Sequence, residues 1–258
     1  HLRLPWTVEG SLTPDPLNPD RVNLAVTARG PTESAGPSLT GWANVATGQV
    51  SARLRDINLD AGMEGLLPGP VREWWRRHEI GGSIEIPEIT VDPLDKTGKR
   101  DFRVVANFTG GRLSLRPEEL RPKDATPLPP GLPSIRFQDV RGKLTFTRQG
   151  IELSGMSLVH EGNTLHVSGR TEGYSFQTAP MEVTLRCDRL VIPEKPAVVP
   201  SLPPEAREVY DRFIPSGEGK MAFSFRRDAQ GLFAIDGRLD ITRGRMAFER
   251  FPFMCHDV

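Results

Sequence analysis

The sequence lacks three features that would assign it to a familiar class: a set of cysteines, a long hydrophobic run and an excess of one charge. Its two cysteines, Cys187 and Cys255, allow one bridge, and two separate buried thiols are the expected state. No run of about 18 apolar residues occurs, so no segment of this chain is expected to span a membrane. The 33 basic and 33 acidic residues balance, which gives no reason to expect a nucleic acid partner.

Motifs that carry catalysis are missing as well. The sequence has no G-x-S-x-G, no phosphate-binding loop, no H-E-x-x-H and no C-x-x-C. Cys255, His256 and Asp257 are adjacent, but neighbours on a strand point to opposite faces and do not readily chelate one ion. His160 and His166 flank a turn and are expected at the surface. The sequence therefore predicts no enzyme, no metal site and no cofactor.

What the sequence does contain is a series of short alternating segments separated by turn residues. Between Ser134 and Thr171 successive strands are joined by tight turns, which we predict at Gln149-Gly150 and at Glu161-Gly162-Asn163. Further strands are predicted at Leu2–Leu12, Arg21–Arg29, two within Trp42–Asp60, Ser83–Val91, Asp101–Thr109, Gly111–Leu115, Met181–Asp188, Gly219–Arg226, Leu232–Asp240 and Arg245–Phe253. The segments 14–20, 30–38 and 116–133 are predicted as loops. Together these patterns predict one meandering antiparallel sheet.

Within Trp42–Asp60 the apolar residues switch from even-numbered to odd-numbered positions. Val50, Ala52 and Leu54 fall on even positions, whereas Ile57 and Leu59 fall on odd ones. Since side chains alternate between the two faces of a strand, the change predicts a bulge at Arg55-Asp56.

Two short helices are predicted to interrupt the strands, at Gly69–Arg77 and Pro204–Phe213, where a proline stands at a favourable starting position. An offset of 135 residues aligns Arg72-Glu73 with Arg207-Glu208 and also matches the Leu-Pro dipeptides that precede each helix. This suggests candidate repeat units of about 1–135 and 136–258. The alternative is chance similarity between two helices that begin with proline.

Nearly every predicted strand has one apolar face, and two short helices are too little to cover a dozen of them. Apolar surface left in water costs about 25 cal/mol per Å². The sheet can fold on itself as a sandwich, close as a barrel, or curl into an open trough lined by something apolar that is not protein. Alternation groups the candidate lining residues of such a trough: Phe102, Val104, Phe108, Leu144, Phe146, Val183, Leu185, Met221, Phe223, Phe225, Phe233 and Ile235.

The segments Phe137–Phe146, Gly150–Leu153 and Leu165–Arg170 resemble the AsmA-like family of bacterial envelope proteins. That family repeats a strand ending in Gly, a short strand, a turn and another strand ending in Gly, and Phe233–Phe248 has the same pattern. The resemblance covers roughly Gly111 to the C-terminus and, less clearly, the first third. It implies a mostly β protein whose long twisted antiparallel sheet curls into an open hydrophobic groove, similar to the bridge-like lipid-transfer proteins.

The same resemblance implies a function without bond chemistry. Phospholipids or other acyl-chain lipids would move between the inner and outer membranes of the cell envelope, their acyl chains in the groove. It also implies a periplasmic location, an inner-membrane anchor outside this chain and further groove segments of the same protein. We interpret residues 1–258 as one continuous β-groove segment, an excerpt of a longer protein.

Two rival functions remain open from the sequence. One is a structural or adhesive β-sandwich module of the envelope, which would bury the same apolar residues against themselves. The other is a carbohydrate-binding module that uses Trp6, Trp42 or Trp74-Trp75 as stacking platforms. For the Trp74-Trp75 pair, packing of the helix on the sheet is the competing interpretation.

Overall fold

A computed structural model describes residues 7–29, 35–59, 69–120, 132–175, 178–193, 196, 199, 204–247 and 254–256. They form a single antiparallel sheet of 13 strands, and each strand pairs with its neighbours in sequence. The strands are β1 (Thr7–Asp15), β2 (Asn18–Arg29), β3 (Ala35–Asn44), β4 (Val50–Asn58), β5 (Gly81–Val91), β6 (Phe102–Leu115), β7 (Ile135–Thr147), β8 (Gly150–His160), β9 (Asn163–Glu172), β10 (Met181–Ile192), β11 (Ser216–Arg227), β12 (Phe233–Ala247) and β13 (Met254–His256). Helix α1 (Gly69–Arg77) follows β4, helix α2 (Pro204–Phe213) follows β10, and a 3₁₀ turn (Pro117–Leu120) follows β6.

Both helices have the bounds predicted from the sequence, whereas three predicted strand breaks are wrong. The hairpin β1–β2 extends through most of the predicted loop 14–20, because β1 is an edge strand and tolerates Pro14 there. The strand β6 continues through Gly110, whose φ of 60° marks a bulge and not an end. The strand β12 includes Arg245, so the predicted separate strand at Arg245–Phe253 begins inside it, and residues 248–253 lie outside the described ranges.

The central hairpin turn begins at Glu161 as predicted but ends one residue earlier, at Gly162. Glu161 and Gly162 form the turn with φ of 47° and 77°, and Asn163 is the first residue of β9. The Asn163 amide is engaged elsewhere: its Nδ2 donates to the Val191 carbonyl at 3.0 Å and its Oδ1 accepts from the Val191 amide at 2.6 Å. The side chain thus continues the link between β9 and β10, whose backbone ladder ends at Arg186 opposite His166. Likewise, the turn before β8 is Arg148-Gln149, and Gly150 is already strand.

The predicted bulge at Arg55-Asp56 is confirmed. The register of β4 with β5 shifts between Leu54 and Ile57, and Asp56 has a φ of 58°. Further register shifts occur in the pairings of β5 with β6, β6 with β7, β7 with β8, β8 with β9 and β10 with β11. Each extra residue returns the apolar alternation to the same face and adds local twist. The strands are therefore bent and twisted at several places along the sheet.

The sheet is open and forms one layer. Edge strands β1 and β13 stand at opposite ends of the strand order, and the described strands make no second sheet, so the sandwich alternative is not the fold adopted. The chain exposes 17166 Å², whereas a compact protein of 28.6 kDa exposes about 11,000 Å². The fold is a long, twisted antiparallel sheet curled into an open apolar groove with two short helices.

The two ends of the strands form two different rims. Connections after odd-numbered strands are short, such as Pro16-Leu17 and Arg148-Gln149, and we name this edge the short-loop rim. The long connections with α1 and α2 follow even-numbered strands and lie at the opposite edge, the helix rim. The two helices leave the sheet six strands apart at the same rim. A 135-residue repeat predicts that arrangement, and the repeat itself stays a prediction.

Candidate binding groove

The strand register places apolar residues on one common face of the sheet, because residues directly opposite each other in a ladder point to the same side. Val104 of β6 lies opposite Ile89 of β5 on one side and opposite Phe146 of β7 on the other. This row crosses twelve strands without a break: Leu12, Leu24, Gly41, Ala52, Ile89, Val104, Phe146, Ile151, Thr171, Met181, Arg227 and Phe233. The row is apolar except at Thr171 and Arg227, so the apolar face extends across almost the whole sheet.

Parallel rows contain the remaining residues predicted from alternation. One row consists of Ala106, Leu144, Leu153, Gly169, Val183, Phe225 and Ile235. A shorter row consists of Met156, Val167, Leu185, Phe223 and Gly237. Phe102 lies opposite Val91, Phe108 opposite Ile84 and Gly142, and Met221 opposite Cys187 and Leu239. All twelve candidate lining residues thus lie on this one face.

None of the twelve candidate lining residues is fully buried. Ten are half-buried, and the other two, Phe233 and Ile235, are 37% and 57% exposed. A sandwich core would leave such side chains dry, as interiors are packed to crystal-like density. The face instead keeps apolar surface in contact with water, at a cost that an apolar ligand would remove.

An aromatic strip lies where β11 meets β12. The rings of Phe223 and Phe225 stack with centroids 6.4 Å apart, and Phe225 stacks on Phe233 at 6.5 Å. A side chain at Gly237 would overlap the Phe223 ring, so this glycine lets the ring lie flat across β12. The strip is a smooth surface without hydrogen-bonding groups from these side chains, which suits hydrocarbon chains.

The opposite face of the sheet is polar. On this face Glu182 of β10 forms ion pairs with Arg226 of β11 at 3.5 Å and with Arg170 of β9 at 3.9 Å. Arg103 of β6 forms another ion pair with Glu88 of β5 at 3.2 Å. These side chains are about half exposed or more, so each pair contributes at most about 1 kcal/mol. The charged side chains keep this face in contact with water. The opposite, apolar face is the one whose burial would lower the free energy.

Part of the apolar face is closed at the helix rim of β4 to β7. Four apolar residues there are between 4% and 8% exposed: Ile57, Leu59, Ile135 and Val140. His78, which follows α1, is 3% exposed, and its Nδ1 lies 2.9 Å from the Ser114 carbonyl while the Ser114 amide donates to the His78 carbonyl at 2.7 Å. These bonds fix the end of α1 to β6. Alternation does not reveal this closed end, because the contact joins residues far apart in sequence.

Arg227 lies on the apolar face, a position that the sequence does not predict because the predicted strand ends at Arg226. The observed β11 includes Arg227, which continues the alternation of Met221, Phe223 and Phe225 and so shares their apolar face. The signal was present in the alternation, but a charged residue at the end of an apolar series reads as a strand terminus.

The tryptophans do not form a common platform in the described residues. Trp42 lies on the polar face, opposite Asn23 and Ser51, and the Arg21 guanidinium is 4.0 Å from its ring centroid. One face of that ring is thus covered. Trp75 is half-buried, and Trp6 and the Trp74 side chain lie outside the described parts of the structure.

The titratable groups of the described residues were compared for metal-binding clusters and for shifted pKa values. Within the described ranges, no three His, Cys, Asp or Glu side chains are grouped to hold a metal ion. Cys187 is a free thiol, 1% exposed, on the apolar face, and burial raises its pKa. Asp95 has a lowered pKa because it accepts hydrogen bonds from Thr97 and Lys99 within an exposed turn. The Cys255 side chain lies outside the described residues, so the pairing question is answered for Cys187 alone.

Comparisons with known proteins identify no relative. No family model, no curated protein and no solved structure matches the chain. The resemblance to the AsmA-like family therefore stays a prediction carried by the sequence segments quoted above. Of the described helices, none is long and apolar enough to cross a membrane.

Proposed function

We propose that this chain is a groove segment of a lipid-transfer protein of the cell envelope, which carries phospholipid acyl chains between the inner and outer membranes. The observation that carries the proposal is the mostly apolar row that crosses twelve strands while most of its side chains, Ile151, Thr171 and Arg227 excepted, stay partly open. The periplasmic location, the inner-membrane anchor outside this chain and the joining of further groove segments rest on the resemblance to the AsmA-like proteins.

The dimensions of the row favour a path over a single pocket. Strands lie about 4.8 Å apart, so a row across twelve strands is on the order of 50 Å long. An acyl chain is about 15 Å long, because the hydrocarbon of one leaflet is half of the roughly 30 Å bilayer core. An acyl chain therefore fits at many successive positions along the face.

Movement along this path needs no catalysis. Each carbon–carbon contact contributes about 0.1–0.2 kcal/mol and has no preferred direction, so neighbouring positions hold a chain almost equally well. Half-buried aliphatic and aromatic side chains offer many such contacts in series. Polar head groups would stay at the open side of the groove, in water.

The test is a photo-crosslinking amino acid in place of Phe225, with phosphatidylethanolamine–phosphatidylglycerol vesicles as the lipid source. We expect lipid adducts with the parent and a loss of about 10-fold or more when Phe223→Asp is added, because the carboxylate places charge in the path. Ala222→Asp is the matched control, since Ala222 is the neighbouring residue on the exposed polar face and should leave capture unchanged.

Two outcomes would reject the groove. The first is equal crosslinking from Phe225 and from Lys220, which faces the polar side. The second is the absence of any lipid adduct with a folded parent protein. Circular dichroism of each variant separates loss of lipid from loss of fold.

A further inference from the structure

A cavity of about 370 Å³ opens on the polar face of the sheet, over β3 and β4. The side chains around it are those of Thr40, Trp42, Ser51, Arg53 and Pro87. The register sets Trp42 opposite Ser51 and Thr40 opposite Arg53, so these four side chains point to the same side of the sheet. The volume is within the range of small-ligand sites, roughly 300–1,000 Å³.

A bulge in β5 supplies the third side of the cavity. Ala52 pairs with Ile89 and Leu54 pairs with Ile86, so Pro87 and the residue after it both lie against the single position between them on β4. An extra residue of this kind bends its strand and increases the local twist. Pro87 has no N–H to donate and adds an apolar wall. The cavity therefore lies at this bulge.

The indole of Trp42 is held between an arginine and the cavity. The Arg21 guanidinium, which comes from β2, is 4.0 Å from the ring centroid, and the Asp15 carboxylate is 3.8 Å from Arg21. Arg21 does not line the cavity, which extends from Trp42 towards β4 on the other side. The cation fixes the half-buried ring in place, and the side of the indole that faces β4 borders the cavity.

Arg53 brings a guanidinium without a carboxylate partner to the same cavity. Its Nε donates to the Thr40 hydroxyl at 3.0 Å, and in the described part of the chain no Asp or Glu forms an ion pair with it. The carboxylate of Glu88, which follows Pro87, is paired with Arg103 at 3.2 Å. A carboxylate on a ligand would match the terminal N–H groups of this guanidinium.

The backbone around the cavity favours a saccharide over a peptide. The strands β3, β4 and β5 each have a neighbour on both sides, so they offer no free edge to an extended peptide. A pyranose needs no such edge. The C–H groups on one face of its ring pack on an indole, and its hydroxyls exchange hydrogen bonds with hydroxyl and guanidinium groups.

We propose that this cavity binds a saccharide unit that carries a carboxylate, such as a uronic acid. Trp42 stacks on the pyranose ring, Arg53 pairs with the carboxylate, and the hydroxyls of Thr40 and Ser51 bind hydroxyls of the sugar. The proposal goes beyond the proposed function, because the site lies on the face opposite the groove and involves no lipid.

The experiment uses the full chain labelled with 5-fluorotryptophan and two sugars that differ only at C6, methyl β-D-glucuronide and methyl β-D-glucoside. The ¹⁹F signal of Trp42 is assigned with Trp42→Phe. We expect the glucuronide to shift this signal with an affinity about 10-fold higher than that of the glucoside, because the carboxylate adds a charge-assisted pair. Arg53→Gln should remove the difference, and Arg53→Lys should restore part of it, since it returns the charge without the fork.

Arg55→Gln is the matched control. Arg55 is exposed on the same face of β4, pairs with Glu85 at 3.6 Å and does not line the cavity, so its loss should change neither affinity. Trp42→Ala, followed by saturation transfer to each sugar, should lose binding of both. If that variant does not fold, the ¹⁹F titration of the parent still reports on the site.

Three results would overturn the saccharide site. They are a Trp42 signal that neither sugar shifts, equal affinities of the parent for the two sugars, and a preference for the glucuronide that persists in Arg53→Gln. None of them bears on the groove, whose test is lipid crosslinking from Phe225 on the opposite face. A chain that captures lipid but binds no sugar keeps the groove and loses this site, and the reverse result does the opposite.

Discussion

The central strands and the terminal strands carry the same alternation but differ in exposure. Val183 of β10 and Ile235 of β12 belong to one row with Phe225 between them, yet Val183 is half-buried whereas Ile235 is 57% exposed. At the other end of the sheet, Leu12 of β1 is 70% exposed and faces a half-buried Leu24. Alternation thus decides the face of a residue but not how much water reaches it.

The bulges account for much of this difference. Pairings from β4 to β9 each contain at least one register shift within the ladder, whereas β3–β4 and β9–β10 pair without one and β1–β2 and β2–β3 shift only near strand ends. The single shifts in β10–β11, after Cys187, and in β11–β12, before Gly219, lie towards the helix rim and away from Val183 and Ile235. A bulge bends its strand and increases the local twist, which brings side chains of one face closer together. Edge strands also lack a neighbour on one side. The centre is therefore curled and partly self-covering, and the ends are open.

The largest effect is expected from the same charge placed at the closed centre and at the open end. Ile135→Asp puts a carboxylate at a site that is 5% exposed, and we expect a loss of about 3–5 kcal/mol in unfolding free energy. Ile235→Asp, at a site 57% exposed, should cost less than about 1 kcal/mol. Urea denaturation followed by circular dichroism measures both, and equal losses would show that the two regions share one dry core.

The sequence predicts the local features of this comparison well. The faces of β6, β10 and β11 follow from a period of two, and the bulge at Arg55-Asp56 follows from a parity change, because both signals lie within a few residues. The helices are predictable for the same reason: Pro70 and Pro204 start short segments with helical spacing. These features need no information about distant parts of the chain.

The choice of a single open layer could not be predicted from the same signals. A sandwich and a trough have the same alternation, and only contacts between strands far apart in sequence distinguish them. The bond between Asn163 and Val191 and the link between His78 and Ser114 are of this long-range kind. The placement of Arg227 on the apolar face was missed because the predicted strand ended at Arg226 and the ladder extends it by one residue.

A middle-sized effect is expected from the side chain that continues the ladder between β9 and β10. Asn163→Ala removes both hydrogen bonds to Val191. The backbone amide and carbonyl of Val191 then lose these partners at a part-buried position. We expect a loss of about 1–3 kcal/mol, measured by urea denaturation. Thr164→Ala, at the next and exposed position, is the control and should change stability by less than about 0.5 kcal/mol. If the two variants are equally stable, Val191 is held by its backbone neighbours alone.

The last prediction, with the smallest expected effect on stability, compares the exposure of β10 and β12 through the reactivity of one thiol on each strand. In a Cys255→Ser background, Cys187 at 1% exposure should react with a maleimide only on unfolding, while Ile235→Cys in a Cys187→Ser, Cys255→Ser chain reacts at once. Burial also raises the pKa of Cys187, so its thiolate is scarcer at pH 8. Because the folded state holds this proton more tightly, the contribution of Cys187 to stability is complete below the unfolded pKa of 9.0 and is lost as the pH rises through the folded value. Labelling followed by mass spectrometry from pH 7 to 10 measures the reaction rate of each thiol and its dependence on pH. Rapid labelling of native Cys187 would show that the groove at β10 is as open as its ends.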